Sequence, residues 1–214
     1  MLSKKCIILA GGELDRPEVL KDSLNWNEYM IAADGGLLHA DVLGIWPDKV
    51  IGDFDSVTVA DINRFFSFDI AIERFPTEKD ESDTLIALRD AVNNGYANID
   101  VWGALGGRFD HSVANMMLLF NPITEKANVK IVTWNQVVFA PKKRQVIFGN
   151  KGDIISLFPI GGDITGLKME GLKYQARDGV LLTGDALGLS NEMTKNWCVL
   201  DWEQGRLLCV HTYK

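Results

Sequence analysis

The chain has 214 residues, 47% of them hydrophobic, and a formal net charge of −7. This apolar content excludes a disordered chain, and the length is enough for one large domain or two small ones. The negative charge argues against general nucleic-acid binding, which needs a basic surface, and no stretch approaches the 18 apolar residues that a membrane span requires.

The first 135 residues alternate short apolar runs with patterns of helical period. Nearly every apolar run ends in glycine or aspartate, as buried parallel strands do where they run out into ligand-binding loops. The sequence therefore predicts an α/β domain with a mostly parallel sheet over residues 1–135. The predicted strands are 6–10, 30–33, a run ending at 51, 69–74, 99–102 and 129–132; the predicted helices are 37–43, 80–93 and 113–120.

From residue 136 to residue 214 the segments become short and strand-like, with turn signals between them. Alternating apolar and polar residues with frequent glycine turns are typical of an antiparallel β-sandwich. We therefore expect a second domain over 136–214, with strands at 136–140, 144–148, 154–158, 164–169, 180–182, 197–201 and 206–211.

Two clusters of carboxylates lie within about 30 residues of each other. Asp53 and Asp55 follow a buried strand, and Asp80 and Asp83 are three apart in the predicted first turn of a helix. Each cluster has a simpler interpretation, as a turn or as a helix cap, with 77–80 resembling a capping box. Together, however, these carboxylates would repel one another unless a cation lay between them, and the sequence favours a Mg²⁺ site.

Three glycine-rich turns offer backbone N–H groups to an anion: Gly11-Gly12, Gly35-Gly36 after Asp34, and Gly106-Gly107 before Arg108. Neither a P-loop nor a dinucleotide-binding fingerprint is present. Arg108 could bind phosphate through two nitrogens. Two further side chains in the third turn, Asp110 and His111, could orient a ligand or transfer a proton, although His111 could equally be a first-turn polar residue and Asp34 an N-cap. Ser190 and Asn191 could bind a heterocycle or form an ordinary turn.

In order along the chain, these pieces resemble the thiamine pyrophosphokinase (thiamine diphosphokinase) family over essentially the full length. The matching segments are 10–12, 33–36, 51–56, 78–80 with 82–83, 106–111, 171–174 and 190–192. The resemblance implies that the chain transfers the pyrophosphoryl group of ATP to the hydroxyethyl oxygen of thiamine, which gives AMP and thiamine diphosphate. It also implies a homodimer, with thiamine between the α/β domain of one subunit and the sandwich of the other.

Carried over residue by residue, the resemblance implies three Mg²⁺ ligands, Asp53, Asp55 and Asp83. It places Asp80 beside the reacting hydroxyl and gives Arg108 a catalytic role in neutralising charge. The nucleotide site would contain Asp34, Arg108, Asp110 and His111, and the substrate site Lys79, Ser190 and Asn191.

Two alternatives remain at this point. The segment 53–57 superficially fits the pattern of a phosphatase with an aspartyl nucleophile, and a binding module for a nucleotide or thiamine would need the pocket without the clustered carboxylates. The cysteines Cys6, Cys198 and Cys209 are scattered without metal-ligand spacing, so we expect reduced thiols in a cytoplasmic protein.

Overall fold

The structure, a computed structural model, describes residues 4–25, 28–54, 70–78 and 80–214. The chain divides into two compact units, Met1–Trp134 and Asn135–Lys214. Among the described residues, no helix is long and apolar enough to cross a membrane.

The first unit contains a parallel sheet of six strands in the order β6-β5-β1-β2-β3-β4. The central strands are almost wholly apolar, as strands covered on both faces must be. The strands are β1 (Lys5–Leu9), β2 (Tyr29–Ala33), β3 (Lys49–Gly52), β4 (Ala71–Arg74), β5 (Asn98–Trp102) and β6 (Asn128–Val132).

The helices that the structure describes in this unit are α1 (Pro17–Ser23), α2 (Gly36–Leu43), α3 (Asp83–Asn93) and α4 (Phe109–Leu118), with a 3₁₀ turn at Thr124–Lys126. Helices α1 and α2 cover one face of the sheet, where Leu20 and Leu37 pack in the same core as Leu9. Leu88 of α3 and Leu119, just after α4, line a small cavity with Val101. Val101 is the β5 neighbour of Ile8, which alternates with Leu9 along β1, so α3 and α4 cover the other face.

This arrangement makes β1 the point at which the chain reverses its direction across the sheet. The chain moves from β1 through β2 and β3 to β4, and then returns to β5 on the other side of β1. In open α/β sheets, ligands bind outside the carboxyl ends of the strands at such a reversal. The ends of β1 and β5 are therefore where a substrate site is expected.

The second unit consists of two antiparallel sheets, ordered β11-β9-β13-β7 and β10-β12-β8. Both sheets contain buried apolar residues, for example Leu157 and Cys209 in the first and Ile147 and Leu200 in the second. The predicted fold class, a parallel α/β part followed by an antiparallel sandwich, is confirmed. The strands are β7 (Gln136–Phe139), β8 (Gln145–Phe148), β9 (Ile154–Thr165), β10 (Lys168–Glu170), β11 (Asn191–Glu192), β12 (Trp197–Asp201) and β13 (Gln204–Thr212), with a 3₁₀ turn at Arg177–Gly179.

Several local predictions were wrong. Helix α3 begins at Asp83 and not at residue 80, because the Ser82 hydroxyl accepts the N–H of Leu85 and caps it; Asp80 therefore precedes the helix. Helix α1 was not predicted, and it begins with Pro17 at a position where a missing N–H costs nothing. The predicted strand at 180–182 is reduced to one isolated bridge between Leu181 and Ile164.

Candidate active site

The carboxyl ends of the first unit's strands lie close together because glycines remove the side chains between them. A Cβ on Gly36 would lie 1.9 Å from the carbonyl oxygen of Leu9, so only glycine allows α2 to begin against the end of β1. A Cβ on Gly52 would lie 3.0 Å from the Asp34 Cα, so the end of β3 directly adjoins the turn after β2. These contacts bring the turn residue Asp34 next to the segment that carries Asp53.

A cavity of about 640 Å³ opens at these strand ends, within the size range of small-molecule sites. It brings together four of the predicted residues, Asp34, Asp83, Arg108 and His111. Four further polar residues that line the cavity were given no role from the sequence: Glu13, Ser82, Thr84 and Asn115.

Asp34 is held in an unusual conformation at this cavity. Its φ is 44°, in the left-handed region, and its N–H donates to the carbonyl oxygen of Ile51 at 2.8 Å. The N-cap of α2 is Gly35 and no side chain caps that helix, so the simpler interpretation of Asp34 as a cap is excluded. Its Oδ1 is buried and accepts no hydrogen bond from the described residues. A buried carboxylate oxygen in that position is costly without a partner, which points to a ligand or a cation.

Two of the three predicted metal ligands lie within the described residues. Asp53 follows β3 directly, and Asp83 is the first residue of α3; both are half-buried. Asp55 and the predicted substrate residue Lys79 lie outside the described residues. Within the described ranges, no three acidic, histidine or cysteine residues are grouped closely enough to hold a metal ion by themselves.

Arg108 and Asp110 form an ion pair at the start of α4. The Arg108 Nη2 donates to Asp110 Oδ2 at 2.6 Å and its Nε donates to Oδ1 at 3.2 Å. Both side chains are exposed, at 71% and 64%. The hydrogen bond from Arg108 holds the pKa of Asp110 below its ordinary value. The guanidinium thus already binds an oxyanion in the two-pronged geometry that it would use for phosphate.

Two residues hold the loops of this site in place, and the sequence suggested neither of them. His39 Nε2 on α2 donates to the carbonyl oxygen of Gly12 at 2.7 Å, and Asn115 Nδ2 on α4 donates to the carbonyl oxygen of Ala104 at 2.8 Å. Each contact joins a helix to a loop that only the sheet order brings near. A single sequence offers no signal for such pairs.

In the second unit, the predicted substrate residues Ser190 and Asn191 differ in their surroundings. Asn191 is buried, and its side chain binds backbone on both sides: Oδ1 accepts from the N–H groups of Tyr174 and Glu192, and Nδ2 donates to the Tyr174 carbonyl oxygen. Ser190 is exposed, with a φ of 56°, and its N–H donates to Ser156 Oγ. Asn191 thus fixes the loop that carries Tyr174, while the hydroxyl of Ser190 faces solvent.

Comparison with known proteins gives a consistent result over both units. Residues 20–133 match the family model of the thiamin pyrophosphokinase catalytic domain, and residues 137–205 match that of the thiamin pyrophosphokinase vitamin B1 binding domain. Thiamine pyrophosphokinase from Bacillus subtilis is 26% identical over 207 residues, which cover 96% of this chain and 97% of the relative. Thiamin pyrophosphokinase 1 from Caenorhabditis elegans is 24% identical over 79% of this chain and 74% of its own length.

Solved structures show the same fold. The crystal structure of the Bacillus subtilis thiamine pyrophosphokinase has a TM-score of 0.86 and 25% identity, and the match covers 99% of this chain and 100% of that chain. The thiamin pyrophosphokinase from Candida albicans has a TM-score of 0.81 at 18% identity, covering 98% and 89%.

These likenesses support neither alternative, since the matched domains are those of a kinase and not of an aspartyl phosphatase or a binding module alone. The predicted enzyme class is confirmed as well. The catalytic-domain match alone spans more than half of the sequence, and the chain therefore belongs to the thiamine pyrophosphokinase family, whose enzymes use ATP to convert thiamine to its diphosphate.

Proposed function

We propose that this chain carries out the transfer from ATP to thiamine with Mg²⁺ bound by Asp53 and Asp55, which follow β3, and by Asp83, the first residue of α3. The single observation that supports this most strongly is the buried Oδ1 of Asp34, which has no hydrogen-bond partner among the described residues in a cavity that Asp83 also lines. Carboxylate oxygens are the ligands that Mg²⁺ prefers, and a cation relieves the repulsion between grouped acids. When bound, Mg²⁺ neutralises phosphate oxygens and polarises the transferred group.

For the nucleotide, we propose Asp34, Arg108, Asp110 and His111 as binding residues. Arg108 already binds a carboxylate through two nitrogens, and the same two-pronged geometry suits a phosphate. Arg108 would then stabilise the charge that develops as the β-phosphorus is transferred. Phosphoryl transfer depends mainly on such positioning and charge neutralisation.

Asp80 is proposed to act at the reacting hydroxyl of thiamine, with Lys79 nearby in the substrate site. The hydroxyl oxygen forms a bond to the β-phosphorus, and the bond from that phosphorus to the oxygen shared with the α-phosphate breaks. AMP leaves with the bonding electrons, and Asp80 accepts the hydroxyl proton. Asp80 is exposed and precedes α3.

The second predicted domain, residues 136–214, is proposed to bind thiamine through Ser190 and Asn191 and to form a homodimer, with each substrate site completed by the partner subunit. Exposed apolar side chains in this unit favour a protein partner, including Phe148 at 78% and Val146 at 46% exposure on β8. We place the enzyme in the cytoplasm, because all three cysteines are buried and free.

The decisive experiment incubates the purified protein with ATP, thiamine and Mg²⁺, with an EDTA control, and separates nucleotides and thiamine esters by chromatography. AMP and thiamine diphosphate should appear together and only with the metal. ADP with thiamine monophosphate would contradict attack at the β-phosphorus, and turnover that persists in EDTA would contradict the metal proposal. Sedimentation equilibrium should give twice the chain mass if the dimer forms.

A further inference from the structure

Glu13 lies at the point where the chain reverses direction across the sheet. It follows β1 in the loop before α1, and it lines the cavity at the carboxyl ends of β1 and β5. The proposed metal ligand Asp53 is two strands away, after β3. Glu13 and the carboxylates around Asp34 therefore lie toward different strand ends of this edge.

Backbone hydrogen bonds fix the position of Glu13. Its N–H donates to the carbonyl oxygen of Leu105 at 2.9 Å, and the N–H of the preceding Gly12 donates to that of Gly103 at 2.6 Å. The loop after β1 thus runs alongside the loop after β5. Glu13 cannot leave this position without breaking the contact between the two loops.

The side chain of Glu13 makes a second connection, to the turn before α4. Its Oε1 accepts the N–H of Gly107 at 2.9 Å. A Cβ on Gly106 would lie 2.6 Å from Glu13 Oε2, so the carboxylate is seated directly on a turn that only glycine can form. The second oxygen, Oε2, accepts no hydrogen bond from the residues that the structure describes.

This contact determines which part of a nucleotide can lie beside Glu13. The carboxylate occupies an N–H that a phosphate would otherwise use, and its negative charge repels a polyphosphate. The phosphates are therefore expected nearer Asp34 and Asp83, where a cation can neutralise them. The uncharged nucleoside then falls beside Glu13.

A carboxylate oxygen can only accept hydrogen bonds. On a nucleoside the donors are the ribose hydroxyls and, for adenine, the amino group. Of these, the hydroxyls lie nearer the phosphates. The proposed phosphate ligand Arg108 directly follows the Gly106-Gly107 turn on which Glu13 is seated, so the hydroxyls are the donors within reach of Glu13.

We infer that Glu13 is a specificity-determining residue, which accepts a hydrogen bond from a ribose hydroxyl of the nucleotide while its other oxygen holds the Gly106-Gly107 turn. The inference rests on the proposed function, since it takes ATP as the occupant of this cavity. It adds a discrimination between ribonucleotides and deoxyribonucleotides.

The test compares kcat/KM for ATP, 2′-deoxyATP and 3′-deoxyATP in the full-length enzyme with its metal. The wild-type enzyme should use one of the deoxynucleotides about 10- to 100-fold less well than ATP, the effect of one hydrogen bond to a charged group. Glu13→Ala should lower kcat/KM by that factor for ATP and should change it little for the poorly used deoxynucleotide. Glu13→Gln keeps one acceptor oxygen for the Gly107 N–H but places an NH2 group, which can only donate, at the position of Oε2. It should therefore discriminate weakly, and it serves if Glu13→Ala does not fold.

Asp15→Ala is the matched control, because Asp15 is an exposed carboxylate in the same loop that does not line the cavity. It should leave the discrimination as in the wild type. Equal use of all three nucleotides by the wild type, or an equal loss on all three in Glu13→Ala, would overturn the inference and leave the proposed function standing. The inference would also be overturned if Glu13→Ala changed only the ratio of kcat/KM for ATP to that for inosine triphosphate, because Glu13 would then contact the base. No turnover of ATP by the wild type would instead overturn the proposed function, and the inference with it.

Discussion

His211 donates from Nε2 to the carboxylate of Asp153 at 2.9 Å, and both residues are almost fully buried, at 2% and 1% exposure. The same carboxylate accepts the backbone N–H groups of Asn150 and Lys214. One side chain therefore joins the turn after β8, the strand β13 and the last residue of the chain. Burial acts to raise the pKa of Asp153, but these hydrogen bonds outweigh it and hold that pKa below its ordinary value.

Replacing Asp153 with alanine should destabilise the second unit by about 3 kcal/mol at neutral pH, because removing one member of a buried pair leaves the other without a partner. Urea denaturation at pH 7 measures the loss. Asp178→Asn is the control, since that carboxylate is 90% exposed and should change the free energy of unfolding by less than about 0.5 kcal/mol.

The lowered pKa of Asp153 also makes the stability of the fold depend on pH. Because the pKa of Asp153 is lower in the folded than in the unfolded chain, its ionised form stabilises the fold above the unfolded value of about 3.9. That contribution is lost as the pH falls through about 4 toward the folded value. The difference in urea midpoint between the wild type and Asp153→Asn should therefore shrink below about pH 4. A difference that grows there would contradict the role assigned to the Asp153 carboxylate.

Ser190 and Asn191 should respond differently to truncation. Asn191→Ala removes three hydrogen bonds and leaves the partly buried N–H and carbonyl of Tyr174 without these partners, so it should cost about 2 kcal/mol of stability and raise the KM for thiamine. Ser190→Ala removes only an exposed hydroxyl, since the Ser190 hydrogen bond to Ser156 uses the backbone N–H. It should leave the urea midpoint unchanged, and any effect on KM would then report contact with the substrate. Equal stability of the two variants would contradict the role assigned to Asn191.

These residues also show what a single sequence can and cannot predict here. The strand ends at Leu9, Ala33 and Gly52 were predictable to within one residue, because buried parallel strands are apolar throughout and are followed by glycine or aspartate. Contacts such as Glu13 with Gly107, or His39 with Gly12, depend on which strands are neighbours in the sheet.

Local competition between polar residues was the other source of error. Thr77, Asp80 and Ser82 can all cap a helix, and the sequence alone favoured the first pair because of its capping-box spacing. In the structure the cap is Ser82. Asn191 is a different case, because its side chain binds the backbone of Tyr174 through a contact that depends on the register of β11 on β9. Its contact with the substrate stays a prediction.

Ser82→Ala should destabilise α3 by about 1 kcal/mol, the usual cost of losing an N-cap. The Ser82 hydroxyl accepts the N–H of Leu85, and no hydroxyl remains after the substitution. Because the next residue is Asp83 in the cavity lining, we also expect a lower kcat. Ser82→Asp keeps a capping oxygen and should restore most of the thermal stability; if it unfolds at the same temperature as Ser82→Ala, the capping role is wrong.

Asp53→Ala should lower turnover by at least about 10²-fold, the scale of losing one preorganised electrostatic group. The expected cause is weaker metal binding, so the Mg²⁺ concentration for half-maximal activity should rise, and titration with Mn²⁺ followed by water-proton relaxation should show weaker binding without substrate. Asp22→Asn, which changes an exposed carboxylate on α1, is the matched control and should alter neither quantity.

Asp53→Ala removes a half-buried side chain at the end of β3, so its folding is checked by circular dichroism. Near-normal turnover in the folded variant would remove Asp53 from the proposed metal site, whereas lost turnover with unchanged Mn²⁺ binding would give it a role toward the substrate instead.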